Sequence, residues 1–316
     1  MTEIMKKKLF CFGYGYTCDY LSYGLAHKRE GMGHSRVLWD VAGTTRDDEK
    51  KRSLKACGIE AYSFDFNTPI PDPLYMLRDV THVLISTPPS DDGDTSYLMH
   101  ARDLVDLPHL EWVGYLSTTG AYGDRGGAWV DESVAPRPTT KRGSRRCRAE
   151  EQWLSMHKAY GLPVHIFRLA GIYGPGRSAL DSVRAGIARR IEKPGHAFSR
   201  VHVEDIVQVL VASMYDPKPG EIYNVCDDRP APSHEVIDYA CKLLGRASPP
   251  LLRYDEVDLS PMAMSFYAEN KRIHNYKIKK DLGVVLKYPS FVEGLEACLD
   301  IERRFLQEQN VRSSAM

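Results

Sequence analysis

Gly13 and Gly15 carry the clearest chemical signal in this chain. They close the apolar run Leu9-Phe10-Cys11-Phe12, and Cys18, Leu21 and Leu25 follow at helical spacing. A strand, a glycine turn and a helix start, in that order, form a cradle for a dinucleotide. Gly13 can adopt backbone angles closed to other residues, and Gly15 lets the main chain approach a pyrophosphate with no side chain between. The free N–H groups of the first helical turn, around Tyr16 and Thr17, then face the anion. Cys18 stands where the usual pattern has its third glycine.

The end of the next strand selects the nucleotide. An acid there accepts hydrogen bonds from a free ribose 2′-hydroxyl, whereas an arginine suits a 2′-phosphate. Val37 to Thr45 reads as that strand, followed by Arg46, with no carboxylate until Asp47; Asp40 lies at the wrong end. Hydroxyls of Thr44 or Thr45 with the planar Arg46 fork match a phosphate, so the reading favours NADP(H) over NAD(H). The rival reading makes Arg46 a solvated residue opening a helix.

These residues need a frame, and the first half of the chain supplies one. Strand-like and helix-like segments alternate, as in a parallel sheet covered on both faces. After Val37–Thr45 come a helix over 47–57 and strands at 61–65, 82–86, 112–117 and 164–168. A helix from about Arg145 to Tyr160 carries Trp153, Met156 and Tyr160 as a core stripe. Past Arg168 the alternation loosens, with helices over 235–244 and 291–307. The expected architecture is α/β: a doubly wound parallel sheet of the Rossmann type over 1–170. A smaller, mainly substrate-binding domain covers 171–316, with 201–225 returning to the sheet.

The 316 residues are 43% hydrophobic and 27% charged, which suits an ordinary globular chain with a sizeable core. The 42 basic and 42 acidic side chains balance, so no overall field attracts nucleic acid or a membrane surface. No apolar run is long enough to span a bilayer. The Lys6-Lys7-Lys8 start followed by Leu9–Phe12 is too short for a signal peptide. The seven cysteines are scattered and odd in number, without a Cys-x-x-Cys pair. That disfavours a disulfide framework or a zinc site and places the protein in the cytoplasm, with no metal.

Further segments narrow the class. They are Leu116-Ser117-Thr118-Thr119-Gly120-Ala121-Tyr122-Gly123, Arg168-Leu169-Ala170-Gly171-Ile172-Tyr173-Gly174-Pro175-Gly176, Arg200-Val201-His202-Val203-Glu204-Asp205-Ile206 and Tyr223-Asn224-Val225. With the glycine turn, the chain resembles the extended short-chain dehydrogenase/reductase family, which contains nucleotide-sugar epimerases and dehydratases. The resemblance implies a hydroxyl residue after the fifth strand, here Thr118 with Ser117 as rival. It also implies a Tyr-x-x-x-Lys pair at the start of the next long helix. Laid onto Pro138 to Glu150, that pair falls on Arg142 and Arg146. The chain is therefore similar to an atypical subgroup without the usual proton shuttle, and Asn270-Lys271-Arg272 and Tyr288-Pro289-Ser290 are similar to that subgroup as well.

Arginine stays charged at any ordinary pH, so Arg142 cannot take the tyrosine's part. By the resemblance, Asp65 contacts adenine; Ser86, Thr87 and Pro88 pass the ribose and pyrophosphate; Ala170 and Ile172 lie along the nicotinamide; and Arg146 can bond its ribose. Tyr122, Tyr173 or water is then the replacement proton donor. Arg142 and Arg200 hold an anionic substrate group, with Tyr173 beside it. Lys141, Arg145 and Arg148 read as a solvated face, His202 as a buried hydrogen-bonding residue, and Asp205 as a helix cap. Relatives dimerise through the helix that opens with these arginines, so a homodimer is possible. Two functions follow: an NADP(H)-dependent oxidoreductase or epimerase-like enzyme for a small anionic metabolite, or a non-catalytic sensor of the NADPH/NADP⁺ ratio.

Overall fold

The computed structural model describes residues 5–27 and 37–314. Seven parallel strands form the main sheet: β1 (Met5–Phe12), β2 (Val37–Thr45), β3 (Glu60–Ser63), β4 (His82–Ile85), β5 (Trp112–Thr118), β6 (Val164–Leu169) and β7 (Ile222–Val225). Their order is β7-β6-β5-β4-β1-β2-β3. The chain winds outward in both directions from β1 and β4, and the order reverses between those two strands. Ligands of open parallel sheets bind in the crevice at such a reversal, outside the carboxyl ends of the strands.

The period-2 alternation of strand side chains builds two cores at once. Leu9 and Cys11 of β1, Leu84 of β4 and Trp112 of β5 face one way, and bury Cys18, Leu21, Ile206 and Leu210 from the covering helices. Their neighbours Phe10, Phe12, Val83, Ile85, Val113 and Tyr115 face the other way, against Leu104, Trp153 and Met156. A third cluster, Tyr173, Leu180, Ile237, Phe291 and Leu295, joins the Ala179–Arg184, Ser233–Leu243 and Phe291–Ser314 helices. Among the described residues, no helix is long and apolar enough to cross a membrane.

The expected strands are present, with ends shifted by a residue or a few. Two helix expectations need correction. The helix expected from Arg145 begins one turn earlier, spanning Lys141–Tyr160, because Thr140 Oγ1 accepts the Gly143 N–H at 3.1 Å and caps it. Its last expected core residue, Tyr160, is 45% exposed and lies under the Arg102 guanidinium. The helix expected from Ile206 spans Val203–Tyr215, and its cap is His202, whose Nδ1 accepts the Glu204 N–H. Asp205 instead accepts the backbone N–H groups of Lys287 and Tyr288, tying the C-terminal region to this helix.

Candidate active site

The glycine turn is held from below. The Gly13 N–H donates to Thr44 Oγ1 at 2.8 Å, and the Tyr14 N–H to the Thr44 carbonyl at 2.6 Å. Gly13 sits at φ +82°, and a Cβ there would press on Thr87 after β4. Around Gly15 the situation is the reverse: an added Cβ would meet nothing within 4 Å. Open space lies in front of the Tyr16–His27 helix start, where an anion meets free N–H groups. The Cys18 thiol, in place of a third glycine, is fully buried and donates to the Gly13 carbonyl at 3.5 Å.

A cavity of about 990 Å³ opens from this turn across the ends of β1, β4, β5 and β6. Its wall includes Gly15, Tyr16, Thr17, Ser86, Thr118, Ala170 and Ile172 on the sheet side, and Arg142 and Arg146 from the long helix. Arg177 and Arg200 complete the wall, together with the Phe266–Ile273 region. A dinucleotide fits these residues: the open face of Gly15, the helix start behind it and the small Ala170 leave room for a coenzyme at the strand ends.

Charge is distributed unevenly around the wall. Lys141, Arg142, Arg146, Arg177, Arg200 and Lys271 line it, against the single carboxylate of Glu269. Arg142 and Arg146 stand at i and i+4 on the cavity face of their helix. The Arg146 guanidinium is held by the Tyr115 hydroxyl and the Leu116 carbonyl, at 3.0 and 2.7 Å. Arg142 has no hydrogen bond or ion pair among the described residues. Partial burial and then repulsion from Arg146 and Arg177 push its pKa down. Arg200 donates to the Phe198 and Ala231 carbonyls at 2.9 and 2.8 Å, which aims it along the wall.

Some expected site residues lie elsewhere. Tyr122 is fully buried; its hydroxyl donates to Asn224 Oδ1 at 2.8 Å and its ring lies under the Arg168 guanidinium. Tyr173 is also buried, donating to the Ser290 carbonyl at 3.2 Å. Neither phenol lines the cavity, so neither reaches a substrate there. Both pKa values are raised, burial being the main cause. The Ser117 hydroxyl is taken by Glu150, which leaves Thr118 as the cavity hydroxyl of β5, although its Oγ1 also accepts the Gly120 N–H at 3.1 Å. The Thr44 hydroxyl is consumed by the glycine turn. Thr45 Oγ1 accepts the Asp47 N–H at 3.2 Å, and Arg46 is exposed with no partner among the described residues. Asp65 accepts the Asn67 N–H in a local turn, the Thr87 hydroxyl meets Ser96, and Pro88 is exposed. Thr45, Arg46, Asp65, Thr87 and Pro88 lie outside the cavity wall.

The basic run at the helix start is not simply solvated. Asp91 bonds Arg145 at 2.6 Å and Lys141 at 2.9 Å through its carboxylate, and Arg148 at 2.9 Å through its carbonyl. Those bonds hold its carboxyl below the usual range. This one acid offsets the unfavourable meeting of cations with the positive helix end. The sequence reading also missed Arg177, Tyr267, Glu269 and Lys271. The Asn270-Lys271-Arg272 segment had drawn notice only for its resemblance, yet its Lys271 lines the cavity, with Glu269 and Ile273 on either side.

A Rossmann sheet, a glycine turn at the strand-order reversal and a cavity over the strand ends are the features of a dinucleotide-binding fold. Residues 98–226 match the model of the NAD dependent epimerase/dehydratase family. Protein YeeZ of Escherichia coli (strain K12) is 30% identical over 263 residues, covering 79% of this chain and 88% of that protein. The chain belongs to the NAD-dependent epimerase/dehydratase family, an extended short-chain dehydrogenase/reductase. A functionally unknown conserved protein from Silicibacter pomeroyi DSS is 46% identical with a TM-score of 0.83, over 93% of this chain and 98% of that one. The dTDP-glucose 4,6-dehydratase of Bacillus anthracis, solved with NAD, shares the fold at 17% identity and a TM-score of 0.73, over 95% and 97% of the two chains.

Proposed function

We propose that this protein is an atypical member of its family: an NADP(H)-dependent oxidoreductase or epimerase-like enzyme acting on a small anionic metabolite, of which a nucleotide sugar is the leading example. The observation that carries the reading is the cavity wall, with six cationic side chains against one carboxylate beside the open face of Gly15. Lys141 pairs with Asp91 and Lys271 with Glu269, and a coenzyme diphosphate and an anionic substrate account for the four arginines that have no ion pair among the described residues. The coenzyme, when bound, supplies hydride transfer. Gly13, Gly15, Tyr16 and Thr17 hold its diphosphate end, Ala170, Ile172 and Arg146 its nicotinamide end, and Thr118 meets the reacting group. Arg142 and Arg200 bind the substrate anion. The dehydratase relative is named for a nucleotide sugar, which supports that substrate class.

The preference for NADP(H) rests on the strand end: Arg46 is exposed and unpartnered among the described residues, with no acid there before Asp47, which caps its own helix. A second reading, a non-catalytic sensor of the NADPH/NADP⁺ ratio, is favoured by Arg142 at the position the family gives its tyrosine. Calorimetry with NADPH, NADP⁺ and NADH, followed by a turnover assay on a nucleotide-sugar panel, tests both. Turnover abolished by Thr118→Ala supports the enzyme. Unequal affinity for NADPH and NADP⁺ without turnover supports the sensor. No binding of any of the three overturns both, and an equal loss of NADPH and NADH affinity in Arg46→Ala overturns the coenzyme preference.

A further inference from the structure

Proton transfer is the step for which the family's usual residues are missing here, and the cavity wall holds few groups able to perform it. Its arginines keep their protons at any accessible pH. The Tyr16 hydroxyl donates to the Pro175 carbonyl at 3.0 Å. Tyr267 is wedged among His196, Phe198 and Tyr254, with its hydroxyl bonded to Ser233. Lys141 is 73% exposed in its side chain and tied to Asp91. Lys271 differs from all of these. Its side chain is only 10% exposed and its Nζ lies 2.5 Å from Glu269 Oε2, itself 10% exposed, and both residues line the cavity.

The mount of this pair is rigid. Asn270, between the two, accepts the Arg125 and Gly127 N–H groups through its carbonyl and donates its own N–H to Asp124 Oδ1 at 2.7 Å. Immediately after, Arg272–Ile273 pairs with Trp129–Val130. The second oxygen of Glu269 accepts the Thr139 hydroxyl at 2.9 Å. Thr139 precedes the Thr140 cap of the helix that carries Arg142 and Arg146, so the pair is anchored to the start of the helix on which the family places its proton shuttle.

We propose that Lys271, positioned by Glu269, is the proton donor to the substrate carbonyl oxygen; this rests on the oxidoreductase reading above. In the reductive direction a Lys271 N–H bond breaks and an O–H bond forms, using the π pair of the carbonyl. A bound reduced nicotinamide would supply the hydride to the carbonyl carbon, and the amine left on Lys271 would regain a proton from water. Glu269 acts as the positioning residue through its bonds to Lys271 and Thr139.

Two variants and two readouts test this. Lys271→Arg keeps the ion pair but cannot release a proton, so it should retain NADPH affinity in calorimetry while turnover falls about 10²- to 10⁴-fold. Full turnover in Lys271→Arg alongside an active wild type overturns the proposal and leaves the oxidoreductase reading standing. Absence of turnover in the wild type counts against that reading instead, and labelling then decides the role of Lys271. Pyridoxal 5′-phosphate carries an aldehyde beside a phosphate and, after borohydride reduction, marks a lysine that meets a carbonyl in an anion site. Peptide mass spectrometry should find Lys271 labelled faster in Glu269→Gln than in the wild type, because the substitution frees the amine from its ion pair. Labelling of other lysines with Lys271 untouched in both proteins overturns the proposal.

Discussion

Two arginines near the end of β5 show opposite solutions to the same electrostatic problem. Arg168, on β6, is 2% exposed and meets Glu150 through Nη2 at 2.6 Å and Nε at 3.1 Å, with the Ser117 hydroxyl on the same carboxylate. Burial disfavours its charge, but the Glu150 bonds more than offset this and the net shift is upward. Arg142, on the cavity side, has no acid to meet and its pKa is pushed down. A charge sealed inside the fold must be matched by the fold, because an isolated buried ion is too costly. A charge at a cavity wall can be left for a ligand to match. The first arginine is scaffold and the second is recognition.

Breaking the closed pair should produce the largest effect. Glu150→Gln leaves Arg168 buried without a countercharge and should cost about 3–5 kcal/mol in a denaturant melt. Arg142→Ala should move the same melt by less than about 0.5 kcal/mol. Comparable losses in the two variants would erase the distinction. In binding the order reverses. Arg142→Ala should weaken UDP, a probe for the anionic end of a nucleotide sugar, roughly tenfold to a hundredfold at low salt. Added salt should shrink that gap, since the site is open to screening.

The same contrast explains which parts of the molecule were legible in the sequence. The sheet was readable because each strand writes its own apolar run and the glycine turn is local to β1 and its helix. Gly15 and Thr118 could be placed from neighbours alone. Tyr122 could not: its partners Asn224 and Arg168 lie far along the chain and meet it only in the fold. Glu269 escaped notice, and Lys271 drew it only by resemblance, for the same reason, since they share a cavity with Thr118 only after folding. The start of the long helix was misread because three cations disguise it, and the acid that accommodates them, Asp91, comes from a distant loop.

Between the two cases, Asp227 is a buried acid that no side-chain cation bonds among the described residues. Its Oδ1 accepts the Arg229 N–H at 3.3 Å and its Oδ2 has no partner. Burial raises its pKa to about 8, with Arg200 only partly countering. A carboxyl whose folded pKa lies above its unfolded value stabilises the fold while protonated, and that contribution is lost as pH climbs from about 4 to about 8. Asp227→Asn keeps the shape and removes the titration. Its stability relative to wild type should therefore rise across that window. Even a quarter of the displacement is worth about 1.4 kcal/mol. A flat difference between the two melts from pH 4 to 8 would show that Asp227 is matched after all.

Among the buried groups the smallest effect belongs to Tyr122, on the closed side with Arg168. Tyr122→Phe removes one buried hydrogen bond and leaves ring, cavity wall and Arg168 contact in place. Its stability should fall by about 1 kcal/mol. NADPH affinity should not change, because the phenol is walled off from the cavity by the residues that hold it. Any turnover found in the wild type should persist in the variant. A loss of turnover with unchanged affinity would instead mean that the sheet end opens enough for this phenol to meet substrate, and the division between scaffold and recognition would have to be redrawn one residue further in.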